Sequence, residues 1–202
     1  LVFLVDVSGS MRSPDKLPLA QEALKVLARN LLPGDSVAVC TYAGATRLVL
    51  PPTGAEKRQT IEAAIDSLRS GGGTAMNSGL ETAYALAREG LEPGHISRVI
   101  VLSDGDANVG PASTEDLLQT IARGAREGVT LTTVGFGRGN YNDAAMERLA
   151  DEGNGQSVYL DSEKEARKVF QAQLEGTLEL IARDVKIQVD FDPAVVKQYR
   201  LV

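Results

Sequence analysis

The chain has 202 residues, 43% apolar and 24% charged, the balance of a folded domain with its own core. With 27 acidic residues against 21 basic, the formal net charge is −6, and no basic stripe offsets it, which argues against a nucleic-acid partner. Cys40 is the only cysteine, so an internal disulfide is excluded, and the lack of any run of about 18 apolar residues argues against direct membrane contact.

The chain opens on Leu1-Val2-Phe3-Leu4-Val5, an unbroken run rich in branched side chains that predicts a strand buried on both faces. The run stops at Asp6. Ser8 and Ser10 follow at alternating positions, and Gly9 between them permits a tight turn. A loop is expected over 7–18. Leu19, Ala20, Ala23, Leu24, Leu27, Ala28 and Leu31 then recur at spacings of three and four, which predicts a one-sided helix over about 16–31.

Pro33-Gly34-Asp35 ends that helix. Strands are predicted at 36–43 and 46–50. Only Gly44 and Ala45 separate them, too few residues for a helical crossover, so the two form a hairpin whose second strand is an antiparallel edge. Pro51-Pro52-Thr53-Gly54 reads as a turn. Helices are expected near 56–68 and 75–89, divided by Gly71-Gly72-Gly73-Thr74. A continuous apolar strand at 97–103 runs into Asp104-Gly105-Asp106. A helix over 114–127, with Thr114 as its cap, leads to a strand at 129–134 and a glycine-rich loop at 135–140. A helix near 142–151, a short strand at 157–160 and a helix over 162–181 complete the pattern.

This alternation, with right-handed crossovers, implies an α/β fold: a three-layer, doubly wound, Rossmann-like sheet, mostly parallel, with one antiparallel edge strand. The main domain is expected over 1–181. Beyond it, Val185, Ile187, Val189 and Phe191 alternate with polar residues, the mark of a strand with one wet face. Residues 182–202 read as the truncated start of a C-terminal β-rich segment, or equally as a strand on the edge of the main domain.

Oxygen donors collect at the carboxyl ends of the predicted strands, the edge at which open α/β sheets bind ligands. Asp6, Ser8 and Ser10 follow the first strand, Thr74 follows the three glycines, and Asp104 follows the strand at 97–103. Such hard donors suit Mg²⁺, with Mn²⁺ or Ca²⁺ as alternatives, and five of them leave a place for a water or a partner's oxygen. Taken singly, each serine reads as a turn or cap residue and Asp104 as a turn aspartate. Their convergence on one edge is what points to a cation. Asp106 and Asn108 beside Asp104, with Arg138 and Tyr141 on a neighbouring loop, form a candidate partner-binding rim; otherwise they are turn residues. His95 falls at the opposite edge.

Asp6-Val7-Ser8-Gly9-Ser10, Gly73-Thr74 and Ser103-Asp104-Gly105, in this order and spacing, resemble the metal-ion-dependent adhesion site of von Willebrand factor type A domains. The resemblance covers about 1–180. It implies a sheet order of 3-2-1-4-5-6. It also implies that Asp6, Ser8, Ser10, Thr74 and Asp104 hold a divalent ion, commonly Mg²⁺, whose shell is completed by an acidic residue of a protein partner. The stretches 4–11, 135–137 and 140–143 are similar to a bacterial subgroup whose members are often envelope proteins, which implies the cell envelope or periplasm.

The expected function is therefore a metal-dependent protein-binding module of the adhesion type, not an enzyme. A metal-stabilised structural domain without a transient partner is the second reading, and a metal-dependent phosphoryl-transfer enzyme the third. Against the third, Ser8 stands where a phosphatase of the haloacid dehalogenase type has a second aspartate, and no lysine follows the three glycines as in a phosphate-binding loop. His95 is the only histidine available to activate a serine.

Overall fold

The computed structural model describes residues 1–73, 75–105, 111–137, 142–170 and 190–191. Val2–Asp6 form β1, Ser36–Tyr42 β2, Thr46–Gly54 β3, Ser97–Ser103 β4, Val129–Phe136 β5 and Ser157–Leu160 β6. They make one six-stranded sheet in the order β3-β2-β1-β4-β5-β6. The strands β2, β1, β4, β5 and β6 pair in parallel, and β3 runs antiparallel to β2 at the edge. The helices are α1 (Leu17–Arg29), α2 (Arg58–Asp66), α3 (Met76–Glu89), α4 (Pro111–Arg126), α5 (Asp143–Glu152) and α6 (Glu163–Lys168).

The central strand shows why five apolar residues stand in a row. Successive side chains point to opposite faces of a sheet, and here both faces are covered. Phe3 and Val5 share one core with Leu24 and Leu27 of α1, Ile61 and Ile65 of α2 and Ala166 of α6. Val2 and Leu4 share the other with Leu80 and Tyr84 of α3, Leu117 and Ile121 of α4 and Met146 and Leu149 of α5. Each fully buried side chain of this size contributes about 2 kcal/mol of transfer free energy. The result is the three-layer α/β sandwich with β1 at its centre.

Several boundaries differ from the sequence expectation. Pro51 and Pro52 lie inside β3, not in a turn after it. Proline lacks the N–H a ladder needs, but an edge strand has an unpaired side, and the β2–β3 register shifts twice nearby, between Val37 and Val39 and again between Val39 and Cys40. The strand β5 continues through Gly135 and Phe136, because Gly135 pairs with both Ser103 and Tyr159. Helix α4 starts at Pro111, so Thr114 sits within its first turns instead of capping it; proline's fixed backbone angle suits a first helical position. A short 3-10 turn, Gly9–Arg12, with Met11 buried, stands inside the stretch expected as plain loop. The part of the last expected helix beyond 170 lies outside the described residues, as does the 182–202 segment apart from the exposed Asp190 and Phe191. Among the described residues no helix is long and apolar enough to cross a membrane.

Candidate functional site

The strands β1 and β4 are parallel neighbours, so the residues that follow them emerge on the same edge of the sheet. Asp6 ends β1 and is completely buried. Its Oδ1 accepts the backbone N–H of Ser8 at 2.8 Å, which closes the turn after the strand. Its Oδ2 accepts the hydroxyl of Ser103, the last residue of β4, at 3.0 Å. Ser103 Oγ in turn accepts the N–H of Gly105 at 3.1 Å. The hydroxyls of Ser8 and Ser10 share a hydrogen bond of 2.9 Å.

Burial pushes the Asp6 carboxyl above its ordinary range, the hydrogen bonds from Ser8 and Ser103 pull it back, and the nearby charge of Asp104 pushes it up again. Asp104 is only 1% exposed, and its Oδ2 accepts a hydrogen bond from Lys16 Nζ at 2.9 Å. Tyr42, which ends β2 in register with Asp6, is also fully buried. Burial, and then the charge of Asp6, hold its phenol well above the usual tyrosine range. Its hydroxyl has no well-formed hydrogen bond among the described residues.

The three-glycine segment is fastened to this edge. Gly71 N–H donates to Val7 O at 2.7 Å, and Gly9 N–H donates to Gly72 O at 3.2 Å. A Cβ placed on Gly72 would stand 3.3 Å from the backbone nitrogen of Gly44, just past β2. With its φ of +88°, Gly72 is the position where the lack of a side chain permits this close approach.

Four of the expected ligands, Asp6, Ser8, Ser10 and Asp104, thus come from the same edge of the sheet. Thr74 and the rim residues Asp106, Asn108, Arg138 and Tyr141 lie outside the described residues. Sequence reasoning gave no role to three participants: Ser103, which it named only as part of the motif, and Tyr42 and Lys16. Ser103 carried a signal, being a polar residue at the end of an apolar strand and next to Asp104. Tyr42 looks like any core aromatic and Lys16 like any helix-start residue, so neither announced itself.

The described donor set is carboxylate and hydroxyl oxygen, which fits a small hard divalent cation. Among the described residues no group of three or more His, Cys, Asp or Glu side chains gathers, so hydroxyls must supply much of any shell. His95 lies before β4, at the opposite edge, with its Nδ1 3.5 Å from Glu92 Oε2. No imidazole therefore stands beside Ser8 or Ser10 to take a proton.

The profile of the von Willebrand factor type A domain matches residues 1–173. The chain belongs to that family. A second profile, described as "Uncharacterized protein YfbK, C-terminal", matches residues 176–202. This von Willebrand factor type A chain is 44% identical over 202 residues to "Uncharacterized protein YfbK" of Escherichia coli strain K12, a match covering 100% of this chain and 35% of that protein. It is 30% identical over 197 residues to a UPF0353 protein of Mycolicibacterium gilvum, covering 84% and 58%. The chain thus spans 35% and 58% of the lengths of these two curated relatives. Among solved structures, a von Willebrand factor type A protein from Catenulispora acidiphila matches with a TM-score of 0.74 at 26% identity, over 88% of this chain and 42% of that one. Domains of this family are generally non-catalytic binding modules.

Proposed function

We propose that the domain binds a protein partner through a divalent cation. Asp6, Ser8, Ser10, Thr74 and Asp104 would hold the ion, Mg²⁺ by the hardness of its donors, with Mn²⁺ or Ca²⁺ able to replace it. An acidic side chain of the partner would complete the shell. The observation that carries this reading is the gathering of Asp6, Ser8 and Ser10 with Asp104 at the carboxyl edge of the sheet: two buried carboxylates whose charges oppose each other, beside a pair of hydroxyls. Lys16 offsets one of these charges, and the buried pair as a whole still calls for a further counter-charge.

Within this reading the ion supplies positive charge and an open coordination position. The protein supplies the orientation. Ser103 and the Ser8 N–H fix the plane of the Asp6 carboxylate, and the Ser8–Ser10 hydrogen bond brings the two hydroxyls together. At the rim, Arg138 would pair with the partner's carboxylate and Tyr141 would pack against its surface, with Asp106 and Asn108 as further contacts. A place in the cell envelope or periplasm belongs to the same proposal.

Near-complete burial of Asp6, Ser8 and Asp104 also favours a second reading, a metal that stabilises the domain with a closed shell. Calorimetric titration with Mg²⁺ and Mn²⁺ tests the common premise. One equivalent should bind, and binding should vanish in Asp6→Ala and Asp104→Ala while circular dichroism stays native. No binding to the intact chain overturns both readings. Water-proton relaxation of the Mn²⁺-loaded chain then separates them: an open position gives exchanging inner-shell water, and a closed shell gives none.

A further inference from the structure

We infer that Lys16 is a tethered counter-ion of this edge: its ammonium holds Asp104 Oδ2 and competes with a divalent ion for that carboxylate. This rests on the metal-binding reading above and adds a competitor to it.

Three independent observations point to Lys16. The first is the contact. Lys16 Nζ lies 2.9 Å from Asp104 Oδ2, across 88 residues of sequence, and the lysine side chain is only 15% exposed. A half-free surface lysine does not bury its stem to reach a carboxylate that is itself 1% exposed.

The second is position. Lys16 is the residue before the first turn of α1, where a helix welcomes a side-chain oxygen or a negative charge and not an ammonium. Its side chain makes no capping hydrogen bond. The backbone is fixed on both sides instead, with Lys16 N–H donating to Ser13 O at 3.0 Å and Lys16 O accepting Ala20 N–H at 2.8 Å. The helix gains nothing from this lysine. The ligand-bearing edge does.

The third is the channel that receives it. Gly137, after β5, has a φ of +91°, and a Cβ there would stand 2.5 Å from Lys16 Cε and 3.0 Å from its Cγ. A glycine thus leaves room for the lysine stem where any side chain would expel it. The stem lies along this gap and delivers the charge to Asp104.

The charge count explains the consequence. An ammonium and a divalent ion drawn to the same small carboxylate repel each other, so the two compete for it. Binding of the ion therefore works against the Lys16 contact, and its affinity is reduced by what that contact is worth. The stem has four rotatable bonds, so the ammonium is free to swing to solvent, or to the acidic group of a partner at the same rim.

The test uses the whole 202-residue chain. Mg²⁺ and Mn²⁺ affinities are measured calorimetrically for the parent, Lys16→Met and Lys16→Arg. Lys16→Met keeps an apolar stem for the Gly137 gap and removes the charge, and it should bind the ions at least ten-fold more tightly. Lys16→Arg keeps the charge and should not. Equal or weaker binding by Lys16→Met overturns the inference while leaving the metal site standing. No binding by the parent, Lys16→Met or Lys16→Arg means that the metal reading itself has failed. A second measurement needs no variant: lysine acylation of the parent, read by mass spectrometry. Saturating Mg²⁺ should speed modification of Lys16 several-fold relative to Lys57. An unchanged ratio in a chain that does bind Mg²⁺ also overturns the inference.

Discussion

Ser103 donates its hydroxyl to Asp6 across 97 residues of sequence, and the two residues end adjacent parallel strands. One hydrogen bond thereby links the ends of β1 and β4 and sets the rotation of the Asp6 carboxylate. Ser103→Ala removes a bond to an ionisable group and leaves Gly105 N–H without this acceptor. We expect a loss of about 1–2 kcal/mol in urea unfolding. The same variant should bind Mg²⁺ several-fold more weakly, because only the Ser8 N–H is left to orient its Asp6. Unchanged stability together with unchanged Mg²⁺ affinity would show that the bond positions nothing.

Asp6 sets function against stability. Burial makes its carboxyl hold a proton more tightly in the folded chain than in the unfolded one. The folded state therefore binds more protons over the window just above the usual aspartate range, and stability falls as pH rises through that window to a lower level at neutrality. Asp6→Asn removes the charge and keeps the shape: its amide oxygen accepts Ser8 N–H and its NH₂ faces Ser103 Oγ. In chelator at pH 7 the variant should be more stable than the parent, by about 1 kcal/mol in urea unfolding. Added Mg²⁺ should then stabilise the parent alone. A variant less stable than the metal-free parent contradicts this account.

Much of the fold was legible because local chemistry and global position agree. The run Val2–Val5 has no polar alternate residues, and the structure covers both faces of it. The two-residue gap at Gly44-Ala45 permitted only a hairpin, and β3 is indeed the antiparallel edge. The site was legible in part for the same reason, since polar residues directly after an apolar strand emerge at a predictable edge. What escaped was set by long-range geometry. Pro51 and Pro52 look like turn formers, and only an unpaired sheet edge makes room for them in a strand. Lys16 and Tyr42 acquire meaning only from neighbours far away in sequence, Asp104 and Asp6.

Cys40 should be chemically silent in the folded chain. It sits opposite Leu4 in β2, fully buried, and its Sγ donates to Phe3 O at 3.4 Å. Burial pushes its thiol up to about 12. The unfolded chain loses this proton near pH 8.5 and the folded chain keeps it, so stability falls as pH rises from about 8.5 towards 12. At pH 8.5 the folded thiolate fraction is about 10³-fold smaller than in the unfolded chain. Iodoacetamide should therefore label Cys40 rapidly in urea and by opening of the fold alone in buffer. Labelling in buffer at the rate of a free thiol would mean that β2 is exposed.

Two glycines should respond oppositely to one added methyl group. Gly155 lies in the turn between α5 and β6, where its N–H donates to Ala150 O at 2.9 Å, and a Cβ there would overlap the backbone carbonyl of Leu131. That carbonyl belongs to β5, where Leu131 pairs with Val99 of β4 and packs its side chain in one core with Met146 and Leu149 of α5. Gly155→Ala must therefore push the α5–β6 turn off the sheet, at a cost of about 3 kcal/mol or more. Gly71 presents open space, with nothing within 4 Å of a Cβ. Gly71→Ala should leave stability within about 0.5 kcal/mol of the parent, or raise it slightly by restricting the unfolded chain. Urea unfolding of the two variants side by side checks both. Equal responses would mean that the turn after α5 is not packed against β5 as described.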